Sequence, residues 1–168
     1  MKFDPDIHHR CSIRLADFDY SSAGFYFVTI CVQGRECLLG EIADGEVVLN
    51  EAGRMVEDTW LELSVQYPGI ALDEHVVMPN HFHGIIVLQS PAVLSLPDVV
   101  HRFKSLTTTR YRYGVNNDNW PPFPGKLWQR NYYERIIRNE NELHQIRQYI
   151  HDNPAQWESD NENPTQIL

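Results

Sequence analysis

Cysteine is scarce in this 168-residue chain, and no long apolar run occurs in it. Its three cysteines, Cys11, Cys31 and Cys37, form no CxxC pair, which argues against a structural zinc site built on thiolates. An odd count without a secretory start points to reduced thiols. No stretch is apolar enough for long enough to span a bilayer, and the opening MKFDPDIHHR lacks a signal peptide's apolar segment. The expectation is a cytoplasmic protein with no membrane partner. Neither an internal repeat nor a linker interrupts the chain. A single domain over 1–168 is expected, with a core over about 10–157 and an acidic tail over 158–168.

Basic residues are also in short supply. Fourteen Lys and Arg face twenty-three Asp and Glu, for a formal net charge of −9. That balance alone argues against a polyanionic ligand, because phosphates are held by Lys and Arg. The distribution argues the other way. Residues 101–151 carry nine basic and four acidic side chains, while the rest carries five and nineteen. A local basic region on an acidic body remains compatible with nucleic acid.

What is present reads as alternating strands and helices. GFYFVTICVQ (24–33) is rich in β-branched and aromatic residues and predicts a strand. Two short alternating runs flank Asp44-Gly45 within 37–50 and predict a hairpin. Asn50 caps a predicted helix in which Met55, Val56, Trp60 and Leu63 recur at helical spacing, and Pro68-Gly69 ends it. Strands are predicted at 70–78 and 81–88, separated by Pro79-Asn80. Ser95, Pro97 and Gly114 punctuate a helix over 95–114. A loop (115–125), an extended stretch (127–137) and a helix (138–154) follow, and the tail after Pro154 is expected to fray. Antiparallel strands with helices on one face, in the order βαββαβ, make a ferredoxin-like α+β sandwich with an added C-terminal helix.

Two histidines stand out in HVVMPNHFHGIIVL (75–88). Side chains alternate along a strand, so His81 and His83 share one face and Phe82 points to the other. Two neutral imidazoles side by side can grip one metal ion, or they can be two polar residues on a solvated face. On the last helix, Tyr149 and Asn153 are four apart and share a face. Packed beside the histidines, that face would offer Asn153 as a third ligand and set the Tyr149 phenol one turn away. A phenol, with a pKa of about 10, is a weak nucleophile that a divalent cation can assist. Taken singly, each of these residues has an ordinary structural reading.

MPNHFHGIIVL, WQRNYYERIIR and YIHDNP occur in that order. With the opening region RCSIRLADFDYSSAGFYFVTICVQ, they resemble the REP-associated tyrosine transposases, which belong with the single-tyrosine HUH transposases of small insertion sequences. The resemblance implies that His81, His83 and Asn153 bind a divalent metal, Mg²⁺ or Mn²⁺. It implies that Tyr149 attacks single-stranded DNA at or near a hairpin, forming a 5′-phosphotyrosine and a free 3′-hydroxyl. Rejoining reverses the step, and no nucleotide cofactor is needed. Arg102, Lys104, Arg110, Arg112, Lys126 and Arg130 become candidates for following DNA phosphates. Phe103, Tyr111, Tyr113, Trp120, Trp128, Tyr132 and Tyr133 lie among them. Most of these rings are expected in the core, and about two are expected to meet unpaired bases. The rival readings are a non-catalytic hairpin-binding module descended from such an enzyme, and a two-histidine phosphoesterase, for which no second His motif is found. Monomer and homodimer both stay open.

Overall fold

The computed structural model describes residues 18–90 and 93–164. The opening residues quoted above up to position 17, with Cys11, lie outside the described residues. Strand β1 (Gly24–Cys31) is followed by the hairpin β2 (Gly40–Ala43) and β3 (Glu46–Leu49), then helix α1 (Glu51–Gln66). Next come β4 (Ile70–Val77), β5 (His81–Leu88), α2 (Leu96–Asn117), β6 (Tyr133–Ile137) and α3 (Glu140–Asp152). The main sheet is fully antiparallel with order β4-β5-β1-β6. With the β2–β3 hairpin set aside as its own small sheet, this is the βαββαβ sandwich expected. Asp44 and Gly45 both take positive φ (53° and 75°), the tight-turn geometry that the Asp-Gly pair favours.

Two cores lie on opposite faces of the sheet. On one, Tyr26, Val28, Ile30, Phe82 and Ile86 pack against Val56, Trp60 and Leu63 of α1 and Val99 and Phe103 of α2. On the other, Phe27, Ile85 and Ile137 meet Ile146 and Ile150 of α3. Helices α1 and α2 therefore share one face, and α3 alone covers the other. Two ion pairs clamp α3 across the sheet: Arg147 donates to both Asp73 carboxylate oxygens on β4 at 2.7 and 2.6 Å, and Arg135 of β6 meets Glu142 at 2.6 Å. This leaves the end of α3 over the open end of β5 and β1.

Caps occur where the sequence predicts them. Asn50 accepts from Gly53 N–H, and Ser95 forms a reciprocal box with Asp98. Gly114 does not stop α2, which runs on to Asn117. Its role is close approach: a Cβ there would sit 2.2 Å from the Trp120 ring. The stretch 127–137 is strand only from Tyr133. Before it, Trp128 makes a lone bridge with Val32, and Lys104 Nζ ties down the carbonyls of Gln129 and Arg130 at 2.8 and 3.2 Å, holding that stretch as a loop.

Gly84 carries the tightest demand near the histidines. A Cβ there would lie 2.6 Å from Trp60 and 2.8 Å from Phe82, and both rings are fully buried. Overpacking of a rigid core typically costs 1–3 kcal/mol. Gly84→Ala is therefore expected to destabilise the fold by about 2–3 kcal/mol, read as a lower urea midpoint at unchanged slope. An unchanged midpoint would show that Trp60 can move.

Candidate functional site

The pairing of β5 with β1 sets the floor of the site. His83 lies opposite Thr29, and His81 lies opposite Cys31. Both imidazoles point to the α3 face, with Phe82 buried on the other, as the alternation predicts. His81 is fully buried and His83 nearly so. Their Nε2 atoms converge to 3.1 Å.

Asn80 determines which nitrogen carries the proton. Its Nδ2 donates to the backbone carbonyls of Arg35 (3.0 Å) and Glu162 (2.7 Å). Its Oδ1 therefore faces His81 Nδ1 at 2.8 Å as an acceptor, and that nitrogen holds the hydrogen. The 3.1 Å contact then has one arrangement. His83 Nε2–H donates to His81 Nε2, and His83 Nδ1 accepts from the Thr29 hydroxyl at 2.8 Å. Turning the Thr29 hydroxyl to accept moves the His83 proton to Nδ1 and frees both Nε2 lone pairs.

Helix α3 brings the second pair. The Tyr149 ring stands edge-on to His83 at 5.4 Å and to Phe27 at 6.0 Å. Asn153 closes the helix and is almost fully buried. It faces both the His81 ring and the Tyr149 hydroxyl, and its Oδ1 has no hydrogen-bond partner. Beside them opens a cleft of about 550 Å³ lined by Phe27, Thr29, His83, Tyr133, Tyr149 and Asp160.

From Pro154 to Asn163 the chain contradicts the expected fraying, while residues 165–168 lie outside the described residues. A 3-10 segment, Pro154–Ser159, folds back so that Trp157 stacks on His81 at 6.1 Å. Arg35 pairs with Glu162 at 3.2 Å and donates to the Asn161 carbonyl. Asn163 is buried and donates to the Trp157 carbonyl. This docking places Asp160 Oδ2 3.7 Å from His81 Nε2.

Burial governs the ionisation of the site. It pushes the His81 imidazole down to about 4, against the pull of the Asp160 carboxylate and of Asn153. Burial, then the neighbouring His81, holds His83 well below the ordinary histidine value. Both rings are neutral at pH 7, the form that ligates metal. Burial, then Asp160, raises the Tyr149 phenol, with Asn153 opposing. A stability consequence follows for His81. Its folded pKa is depressed, so below about pH 6.5 the unfolded chain binds the proton and the folded one does not. Stability is full above pH 6.5 and falls as pH drops toward 4, by on the order of 3 kcal/mol. Urea unfolding from pH 7 down to pH 4.5 checks this; a flat profile would contradict the neutral, buried imidazole.

A divalent cation fits this arrangement. Two nitrogens on one ion, each at about 2.1 Å and at right angles, lie about 3.0 Å apart, close to the spacing seen. The orphaned Asn153 Oδ1 is an acceptor in want of a positive partner. Among the described residues, no three His, Cys, Asp or Glu side chains are gathered closely enough to hold a metal ion by themselves; the set of His81, His83 and Asn153 relies on an amide.

The six basic residues singled out in the sequence are not gathered here. Arg102, Lys104, Arg110 and Arg112 all lie on α2, across the sheet from the histidines. Arg110 is committed to Glu62 at 3.1 and 2.8 Å and to Thr59. Lys104 holds the two carbonyls named above. Arg102 lies over the Tyr67 ring and Arg112 over Phe123, both with exposed side chains. Lys126 and Arg130 are exposed in the loop before β6. Of the seven aromatic rings, Tyr113 and Tyr133 are the exposed ones, and Tyr133 lines the cleft. Sequence reasoning missed Thr29, Trp157 and Asp160, and passed over Asn80 as mere turn. Thr29 was recoverable from strand alternation; nothing local signals Asp160.

Residues 48–153, which include both histidines, Tyr149 and Asn153, match the family described as "Transposase IS200 like". The chain belongs to that family, and its function is of the transposase type, on DNA. An uncharacterized protein of Haemophilus influenzae Rd is 39% identical over 179 residues, covering 95% of this chain and 96% of that protein. The fold is similar to that of a REP-associated tyrosine transposase bound to a REP hairpin, with TM-score 0.62 and 20% identity over 85% of this chain and 73% of the other. It is also similar to a candidate transposase from Deinococcus radiodurans R1, with TM-score 0.51 and 20% identity over 83% and 97%. Among the described residues, no helix is long and apolar enough to cross a membrane.

Proposed function

We propose that this chain cuts and rejoins single-stranded DNA at or beside a hairpin, through a 5′-phosphotyrosine on Tyr149, with Mg²⁺ or Mn²⁺ held by His81, His83 and Asn153. The observation that carries this reading is convergence: His83 and the half-exposed Tyr149 phenol line one cleft, and directly behind them lie the buried His81, whose Nε2 meets that of His83 at 3.1 Å, and the orphaned Asn153 Oδ1. When bound, the cation polarises a non-bridging phosphoryl oxygen and offsets the charge that builds up in the transition state.

Tyr149 supplies the nucleophile. Its Oη–P bond forms while the P–O3′ bond breaks, and the leaving 3′-oxygen takes up a proton. The phenol proton passes to solvent through the open cleft. The rigid seat of Tyr149, fixed by Phe27, His83 and the clamps on α3, aims the hydroxyl before DNA arrives. One phosphodiester is exchanged for another, so rejoining by the 3′-hydroxyl needs no nucleotide.

For binding, Arg102, Arg112, Lys126 and Arg130 are exposed and available to phosphates, while Lys104 and Arg110 first serve the fold. The similar structure that holds a REP hairpin supports a hairpin as the DNA form. Covalent capture tests the proposal. Labelled single-stranded oligonucleotides carrying a hairpin from beside this gene are mixed with protein and Mn²⁺ and resolved on a denaturing gel. A protein–DNA band that requires the metal is expected. Hairpin binding with no band at any metal concentration would overturn catalysis in favour of a binding module.

A further inference from the structure

Two imidazoles and an amide oxygen carry no charge, whereas hard cations such as Mg²⁺ and Mn²⁺ favour carboxylate oxygens. The docked C-terminal segment supplies one. We propose that Asp160 is a further ligand of the divalent cation, delivered by the 3-10 segment, so that residues beyond α3 complete the site. This rests on the cation site of His81, His83 and Asn153 proposed above.

The geometry is specific to one oxygen. Asp160 Oδ1 accepts from Glu162 N–H at 2.8 Å, a local turn that orients the carboxylate. Oδ2 is left facing the His81 imidazole, 3.7 Å from its Nε2. Two atoms sharing an ion at about 2.1–2.2 Å lie no more than about 4.3 Å apart, so that distance fits a common ion. The side chain is only 13% exposed and lines the same cleft as His83 and Tyr149. The turn itself is held from outside the segment. The Asn80 amide that orients His81 also donates to the Glu162 carbonyl, and Arg35 grips Glu162 and Asn161. One side chain, Asn80, therefore places a histidine ligand and the turn that carries Asp160.

The test is direct Mn²⁺ binding to the full chain, following free Mn²⁺ by its electron paramagnetic resonance signal. Wild type, Asp160→Asn, Glu158→Gln and His83→Ala are compared, with urea unfolding to confirm that each is folded. Glu158 is an exposed carboxylate on the same 3-10 segment. Asp160→Asn keeps an Oδ1 for the Glu162 N–H and replaces Oδ2 by a donor. It is expected to weaken Mn²⁺ binding about tenfold or more, as is His83→Ala, while Glu158→Gln changes it less than about threefold. If the amide disturbs the turn, Asp160→Ser retains an acceptor and gives the same readout. Equal weakening by Asp160→Asn and Glu158→Gln would overturn ligation in favour of a mere electrostatic field. Unchanged binding in Asp160→Asn with weakened binding in His83→Ala would overturn this inference and leave the histidine site standing. Unchanged binding in both would overturn the two readings together. Normal Mn²⁺ binding with faster adduct formation in Asp160→Asn would show a plug in place of a ligand.

Discussion

Tyr149→Phe will eliminate the covalent protein–DNA adduct while hairpin binding stays within about twofold of wild type. The substitution removes one oxygen and little else. The ring keeps its edge contacts with His83 at 5.4 Å and Phe27 at 6.0 Å, so the fold should change by less than about 0.5 kcal/mol. Losing the only attacking atom typically reduces turnover by about 10⁴-fold or more. In the protein itself the phenol is less acidic than usual, because burial and Asp160 both disfavour the phenolate. Adduct formation by wild type should accordingly be weak in chelator and rise with pH. An adduct that persists in Tyr149→Phe would move the nucleophile elsewhere, with Tyr133 on the same cleft the next to test.

His83→Ala will remove metal-dependent cleavage, with loss of about 10³-fold or more, and Mn²⁺ affinity will fall with it. Two effects separate here. The ligand effect removes one of two converging Nε2 atoms. The structural effect leaves the Thr29 hydroxyl without its partner and opens a space beside Phe27, which costs about 2 kcal/mol. The cleavage loss exceeds anything that destabilisation alone causes in a chain that remains folded. Calorimetric titration of Mn²⁺ alongside the cleavage assay tells the two apart. Full activity of a folded His83→Ala protein in chelator would refute the cation site.

The strands and helices were legible because each rests on local chemistry. Apolar residues at helical spacing, Asn50 and Ser95 as caps, and Asp44-Gly45 as a tight turn depend on residues a few positions apart. The shared face of His81 and His83 is equally local, since it follows from the pleat alone. Gly114 misled because a glycine serves a helix stop and a close ring contact alike, and only Trp120 distinguishes them. The basic count over 101–151 shows a similar limit of local reading. Charge is countable in a sequence, but the partner of Arg110 is Glu62 on another helix, and no spacing rule links positions 62 and 110. The tail was the largest surprise. Its acidic composition suggests solvation, yet Arg35, Asn80 and the His81 ring hold it down from far away in sequence.

By itself, then, the chain determined its strands, helices, turns and the two-residue motifs on them, because backbone sterics and side-chain periodicity act between near neighbours. Tertiary structure alone decided that α3 covers the histidine face, that Asn80 sets the imidazole proton, and that Asp160 stands beside His81. Each of those depends on packing between segments tens of residues apart, where the relative positions of side chains follow from the whole core.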